Sequence, residues 1–159
     1  WVIIGHSERR KILAETNEII NKKLALSLNE NLSPILCIGE TMSEKNENKT
    51  KDILRNQILS ACKNISDDLI SKMMIAYEPV WAIGTGLIAT TNIISNVNKL
   101  IISILSEICL QADKIPIIYG GSVSSTNAEA LFTIDNLDGL LVGGASLNVD
   151  DFYKIYNNM

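Results

Sequence analysis

Glu78 is the side chain of this sequence best placed to move a proton. It ends the apolar run 73–77 and opens the segment Pro79-Val80-Trp81-Ala82-Ile83-Gly84-Thr85-Gly86. Pro79 cannot donate to a sheet ladder, so a strand stops there. Gly84-Thr85-Gly86 forms a flexible end, and the tip between the two ends is apolar, which suits a loop that shuts over something. A carboxylate beneath such a lid loses its water, and desolvation raises its pKa toward that of a useful base. A strand-end carboxylate in an ordinary salt bridge is the competing reading of the same residue.

His6 is the only histidine. It follows a short apolar run and Gly5, ahead of Ser7-Glu8-Arg9-Arg10, and fits a structural cap as well as a catalytic group. A helix starting near Ser7 would favour the neutral imidazole. Gly120-Gly121-Ser122 and Gly143-Gly144 each read as a tight turn after a strand. As a pair, they also read as backbone N–H groups that could hold an anion. Glu8 and Glu40 read as ion-pair residues supporting the site. Trp81 fits either a core aromatic or a lid contact, and the charged run 44–51 reads as a solvated helix start.

Five apolar runs must position these groups: residues 1–4, 35–38, 73–77, 117–119 and 139–142. They are continuous rather than alternating, the mark of parallel strands buried on both faces. Helical spacing follows each one. The first helix is expected over residues 10–28, and the next runs through Ile53 to Cys62. A third, capped by Thr91, runs through Ile93 to Ile108. A short helix after Thr126 passes through Ala130 and Leu131, and the last covers residues 151–156. The result is an α/β fold with right-handed crossovers. A five-stranded doubly wound sheet and the back part of a (β/α)8 barrel both fit. The chain opens on Trp1-Val2-Ile3-Ile4, inside an apolar run and without an initiator Met, which favours a barrel lacking its first part. A whole barrel is about 250 residues, so about three strand-helix units are expected to be missing. In either fold the downstream strand ends share one rim, and the polar and glycine clusters all lie there.

Composition narrows the function classes. The 159 residues are 47% hydrophobic and 20% charged, with net charge −4, which suits one globular domain and argues against a nucleic-acid surface. Cys37, Cys62 and Cys109 are widely spaced, with no Cys-x-x-Cys and no Cys/His pairing. Neither a metal site nor a disulfide framework is read from them, and a reducing, cytoplasmic compartment fits. No apolar stretch reaches membrane-spanning length, and no membrane partner is expected.

At these residues the chain resembles the triosephosphate isomerase family. Gly5-His6-Ser7-Glu8-Arg9-Arg10 is similar to that family's fourth-strand signature, and Cys37-Ile38-Gly39-Glu40-Thr41 to its fifth-strand end. The segment from Ala76 to Gly86 resembles the catalytic base with the mobile sixth loop. Tyr119-Gly120-Gly121-Ser122-Val123 and the segment from Leu141 to Leu147 resemble the seventh- and eighth-loop phosphate grips. The resemblance covers essentially the whole chain. It implies strands four to eight of a TIM barrel with their helices, over residues 1–159. It implies interconversion of dihydroxyacetone phosphate and glyceraldehyde 3-phosphate through an enediolate. Glu78 would be the base and His6 the neutral electrophile. Gly84, Ser122, Gly143 and Gly144 would hold the phosphate. The substrate's own carbonyl serves as electron sink, so no metal or organic cofactor is implied.

Three departures matter. The family's Asn-x-Lys on the first strand and its dimer-plugging third loop have no counterpart here. Leu87 stands where the distal lid hinge usually carries Lys. An incomplete chain of this kind is expected to be inactive alone, since a lost electrostatic contact to the developing enediolate costs on the order of a hundredfold or more. The whole protein would be a cytosolic homodimer. Two other readings stay open: another phosphate-binding barrel enzyme that shares only the last two grips, and a non-catalytic remnant of the isomerase.

Overall fold

The computed structural model describes residues 1–158. Its sheet contains β1 (Val2–Ile4), β2 (Pro34–Ile38), β3 (Met74–Tyr77), β4 (Ile117–Tyr119) and β5 (Gly139–Leu140). All four pairings are parallel and the spatial order equals the chain order. That order decides between the two architectures. A doubly wound sheet reverses its winding at a switch point, and this sheet never does. Right-handed crossovers that always advance the same way lay every helix on one face, as in a barrel. The sheet is open, with β1 and β5 each paired on one side only, and forms part of a barrel.

The helices are α1 (Ser7–Ile12), α2 (Asn17–Asn29), α3 (Met42–Asn46), α4 (Thr50–Ala61), α5 (Asp67–Ile70), α6 (Thr91–Leu105), α7 (Ala128–Phe132) and α8 (Val149–Asn157). Strand alternation sorts the core into two parts. Ile4, Leu36, Ile38, Ile75, Tyr77, Ile117 and Tyr119 join the helix residues Ile20, Leu24, Leu54, Ile58, Ile94 and Ile101 in one cluster. Cys37, Ala76 and Ile118 form a second cluster on the other face, with Ile35, Met74 and Leu141 against it. Both strand faces are therefore covered, which is why the runs are continuous rather than alternating.

Several boundaries differ from the sequence reading. The single helix expected over residues 10–28 is two. Ala14 breaks it with φ +51, and Thr16 caps α2 by accepting the Ile19 N–H (3.3 Å). Glu15 fixes the break, accepting from Arg9 Nε (2.7 Å) and pairing with Lys23. The charged run 44–51 holds its own short helix, α3, with a capping box between Thr41 and Glu44. The cap of α6 is Thr90 rather than Thr91. The short helix α5 had no expectation, since four residues carry too little period to read. Asn31, Asn48, Asn64 and Asn136 take left-handed conformations. Asn tolerates that conformation better than most residues, and the first three of them follow α2, α3 and α4.

Ladder bonds continue past the strand ends and hold the tips side by side. Glu78 N–H donates to Ile38 O (2.7 Å), Gly120 N–H to Tyr77 O (2.8 Å) and Leu141 N–H to Tyr119 O (2.8 Å). Among the described residues no helix is long and apolar enough to cross a membrane.

Candidate active site

Period two along β3 puts Met74, Ala76 and Glu78 on the face away from the helices. Glu78 is 2% exposed there. Its Oε1 lies 3.2 Å from His6 Nε2, and its Oε2 accepts the Ser7 N–H at 3.1 Å. His6 is the cap of α1, and its Nδ1 accepts the Glu8 N–H (3.3 Å). A ring accepting at Nδ1 carries its proton on Nε2, toward the carboxylate. Glu78 is thus a buried carboxylate that faces an imidazole and a helix start, and its one ion-pair candidate among the described residues is His6.

Electrostatics at this carboxylate run both ways. Burial pushes the Glu78 carboxyl above its ordinary value, while His6, the Ser7 N–H, the Cys37 thiol and the Arg10 charge oppose that rise. Burial, and then the Glu78 charge, push the Cys37 thiol far up, so the thiol remains a donor. The sequence places Cys37 in the strand-end motif Cys37-Ile38-Gly39-Glu40-Thr41 but gives it no role beside Glu78. The available signal was strand period, which puts Cys37 beside Ala76 on the face that carries Glu78.

Gly39 is fixed by a steric requirement. A Cβ on it would sit 1.7 Å from the Glu78 carbonyl oxygen. Gln57 on α4 binds both main-chain polar groups of the same residue. Its Oε1 accepts the Gly39 N–H (2.8 Å) and its Nε2 donates to the Gly39 carbonyl (3.1 Å).

The loop after Glu78 differs from a plain exposed lid. Val80–Ala82 forms a 3-10 turn, and Trp81 and Ala82 are buried. The Trp81 indole N–H donates to Glu40 Oε1 (2.8 Å), the Tyr77 hydroxyl donates to the same oxygen (3.1 Å), and Lys45 Nζ lies 3.2 Å from the indole ring centre. Burial pushes the Glu40 carboxyl up against these bonds. The expectation of ion-paired Glu8 and Glu40 fails. Glu40 is hydrogen-bonded to Tyr77 and Trp81, Glu8 is exposed, and neither makes a salt bridge among the described residues. The distal half of the loop, with Leu87 and Ile88, is exposed.

One cavity of about 380 Å³ brings His6, Glu78, Gly84, Ser122, Gly143 and Gly144 together on its wall. Gly84 is left-handed (φ +67). The Ser122 hydroxyl donates to the Ala82 carbonyl (2.6 Å), tying the β4 tip to the loop after Glu78. Gly143 precedes the 3-10 turn Gly144–Leu147 and accepts from the Ser146 N–H (2.9 Å). A larger groove of about 710 Å³, walled by polar side chains of α2 and the end of α4, contains none of the site residues expected from the sequence. Among the described residues no three His, Cys, Asp or Glu side chains converge as a metal would need. A dry carboxylate facing a proton-bearing imidazole, with glycine-rich turns opposite, can move a proton on a small anionic molecule.

A family model described as triosephosphate isomerase matches residues 1–159. A protein named triosephosphate isomerase from Caldanaerobacter subterraneus subsp. tengcongensis is 45% identical over 159 residues, covering 99% of this chain and 64% of the relative. One of the same name from Mycoplasma mobile is 48% identical over 154 residues, covering 97% and 60%. Another from Chlorobaculum tepidum is 48% identical over 157 residues, covering 98% and 63%. The chain thus spans 60–64% of the length of these relatives.

Proposed function

This chain belongs to the triosephosphate isomerase family, and we propose that the protein it comes from interconverts dihydroxyacetone phosphate and glyceraldehyde 3-phosphate. The observation that carries the proposal is the 3.2 Å approach of His6 Nε2 to Glu78 Oε1, in a cavity that also takes in both glycine turns. Glu78, ionised, removes a proton from the carbon beside the carbonyl. His6 turns its Nε2–H to the carbonyl oxygen and stabilises the enediolate as charge develops there. Glu78 then returns the proton to the neighbouring carbon, while the imidazole carries a proton between the two oxygens. The substrate phosphate rests on the backbone N–H groups of Gly84, Ser122, Gly143 and Gly144. The loop from Pro79 to Gly86 closes over it and excludes water. We place the whole protein in the cytosol as a homodimer.

Turnover of glyceraldehyde 3-phosphate by the whole protein tests the assignment. Glu78→Gln should lower kcat by about 10³-fold. Binding of 2-phosphoglycolate, a two-carbon phosphorylated carboxylate, should weaken far less. Unchanged turnover in that variant would transfer the chemistry to a different base and favour another phosphate-binding barrel reaction.

A further inference from the structure

Arg10 lies one helical turn beyond the His6 cap, so its side chain folds back over that cap. Its Nε donates to the Gly5 carbonyl (2.7 Å), its Nη2 to the Cys37 carbonyl (3.2 Å) and its Nη1 to Asn17 Oδ1 (2.7 Å). The Gly5 carbonyl immediately precedes His6. The Cys37 carbonyl belongs to the residue whose thiol faces Glu78. One planar fork therefore holds the tips of β1 and β2 together and fastens both to the start of α2. Gly5 makes room for it. Gly5 is left-handed (φ +75), and a Cβ there would lie 3.1 Å from Arg10 Nη2 and 3.2 Å from the Cys37 carbonyl oxygen. Lysine has one nitrogen and cannot reach three acceptors spread in this way.

The charge matters as much as the fork. Burial lowers the Arg10 pKa from its ordinary value, against Cys37, Glu78 and Glu15, and a guanidinium stays protonated through such a change. Among the described residues Arg10 makes no salt bridge with Glu78. The cation stands behind the site rather than in it. The groups whose charge or hydrogen bonding favours the ionised Glu78 are His6, the Ser7 N–H and Arg10 from the β1 tip and α1, and Cys37 from β2. The neighbouring β4 tip contributes Gly120, which carries no charge.

We infer that Arg10 is a positioning residue for the Glu78–His6 pair: its guanidinium clasps the ends of β1 and β2 so that His6 and Cys37 meet the carboxylate, and it sets a permanent positive charge behind them. The inference rests on the reading of Glu78 as base. Its test reads charge state rather than turnover, so the two fail separately.

The experiment is a pH titration of the whole protein this chain comes from, labelled with ¹³C at the glutamate carboxyl carbon and followed by NMR. The Glu78 resonance is assigned by its loss in Glu78→Gln. In Arg10→Gln the Glu78 midpoint should rise by about one pH unit. The Glu40 midpoint, bonded to Trp81 and Tyr77, should stay in place, and Arg10→Lys should recover most of the change. An unmoved Glu78, or equal movement of Glu78 and Glu40, would overturn the inference. If Arg10→Gln does not fold, the unsubstituted residue decides the matter. The ¹⁵Nε resonance of Arg10 should follow the Glu78 titration and lose that step in Glu78→Gln, and a flat Arg10 resonance would overturn the inference equally. Full turnover in Glu78→Gln, together with a Glu78 midpoint that Arg10→Gln moves in the otherwise unsubstituted protein, would end the base assignment and leave the clasp standing.

Discussion

The tip of β3 and the tip of β5 lie on one rim and are built differently. Glu78 follows a strand paired on both sides, and its backbone is packed so closely that Gly39 has no room for a Cβ. Its carboxylate has the Ser7 N–H and His6 within hydrogen-bonding distance. Gly143 and Gly144 follow a two-residue strand paired on one side, and a Cβ on either would meet nothing within 4 Å. The turn and helix beyond them expose Leu147, Val149, Tyr153 and Tyr156. The β3 tip is closed in by neighbours on both sides within this chain, whereas β5 is the edge of a sheet that forms only part of a barrel. A general base must be dried and aimed in advance, because its pKa depends on its surroundings. An anion grip made of backbone N–H groups needs only an open approach, because the ligand supplies the charge.

The largest expected effect tests the closeness of the first region. Gly39→Ala should cost more than about 3 kcal/mol in urea denaturation, or prevent folding, because the clash is with backbone and no rotamer relieves it. A stable, folded Gly39→Ala would mean that the β3 tip is as loose as the β5 tip. Trp81→Phe should cost about 2 kcal/mol. It removes the indole N–H from a buried carboxylate and leaves Glu40 with Tyr77 alone.

Glu78→Gln sharpens the comparison through pH. Burial raises the folded-state pKa of Glu78 above the ordinary carboxylate value near 4.5, so the native state binds the proton more tightly than the unfolded chain does. The stability this contributes is fully present below that ordinary value and is lost as pH rises through the folded pKa. Glu78→Gln should therefore be more stable than the parent at pH 8, with the difference closing toward pH 4. Equal stability at both pH values would show that the carboxylate is not desolvated. The smallest effect belongs to the second region. Gly144→Ala should change stability by less than about 0.5 kcal/mol, and a loss comparable with that of Gly39→Ala would erase the contrast.

Glu78, His6 and the glycine turns stood out because each follows an apolar run, and parallel strands deliver such ends to one rim. The break at Ala14 was not legible, since nothing in an alanine marks a left-handed residue. What fixes it is the Arg9–Glu15 bond and the Lys23 pair, and a row of charged residues does not show which of them will meet. The roles of Cys37, Gln57 and Arg10 were equally hidden. Several of their partners lie far along the chain, and three of the partners are main-chain carbonyls that carry no residue identity.

The order of hydrophobic runs, turns and strand-end residues was enough to set the α/β class, the parallel sheet and the family, because burial on both strand faces and strand-end glycines leave periodic traces in a linear chain. Periodicity left a reversal open, the family resemblance implied the consecutive winding of a barrel, and the strand order shows it. Three-dimensional packing alone seated Trp81 on Glu40 rather than in solvent, and stood an arginine behind the carboxylate. Those outcomes depend on distances between residues separated by tens of positions, and no local pattern encodes such distances.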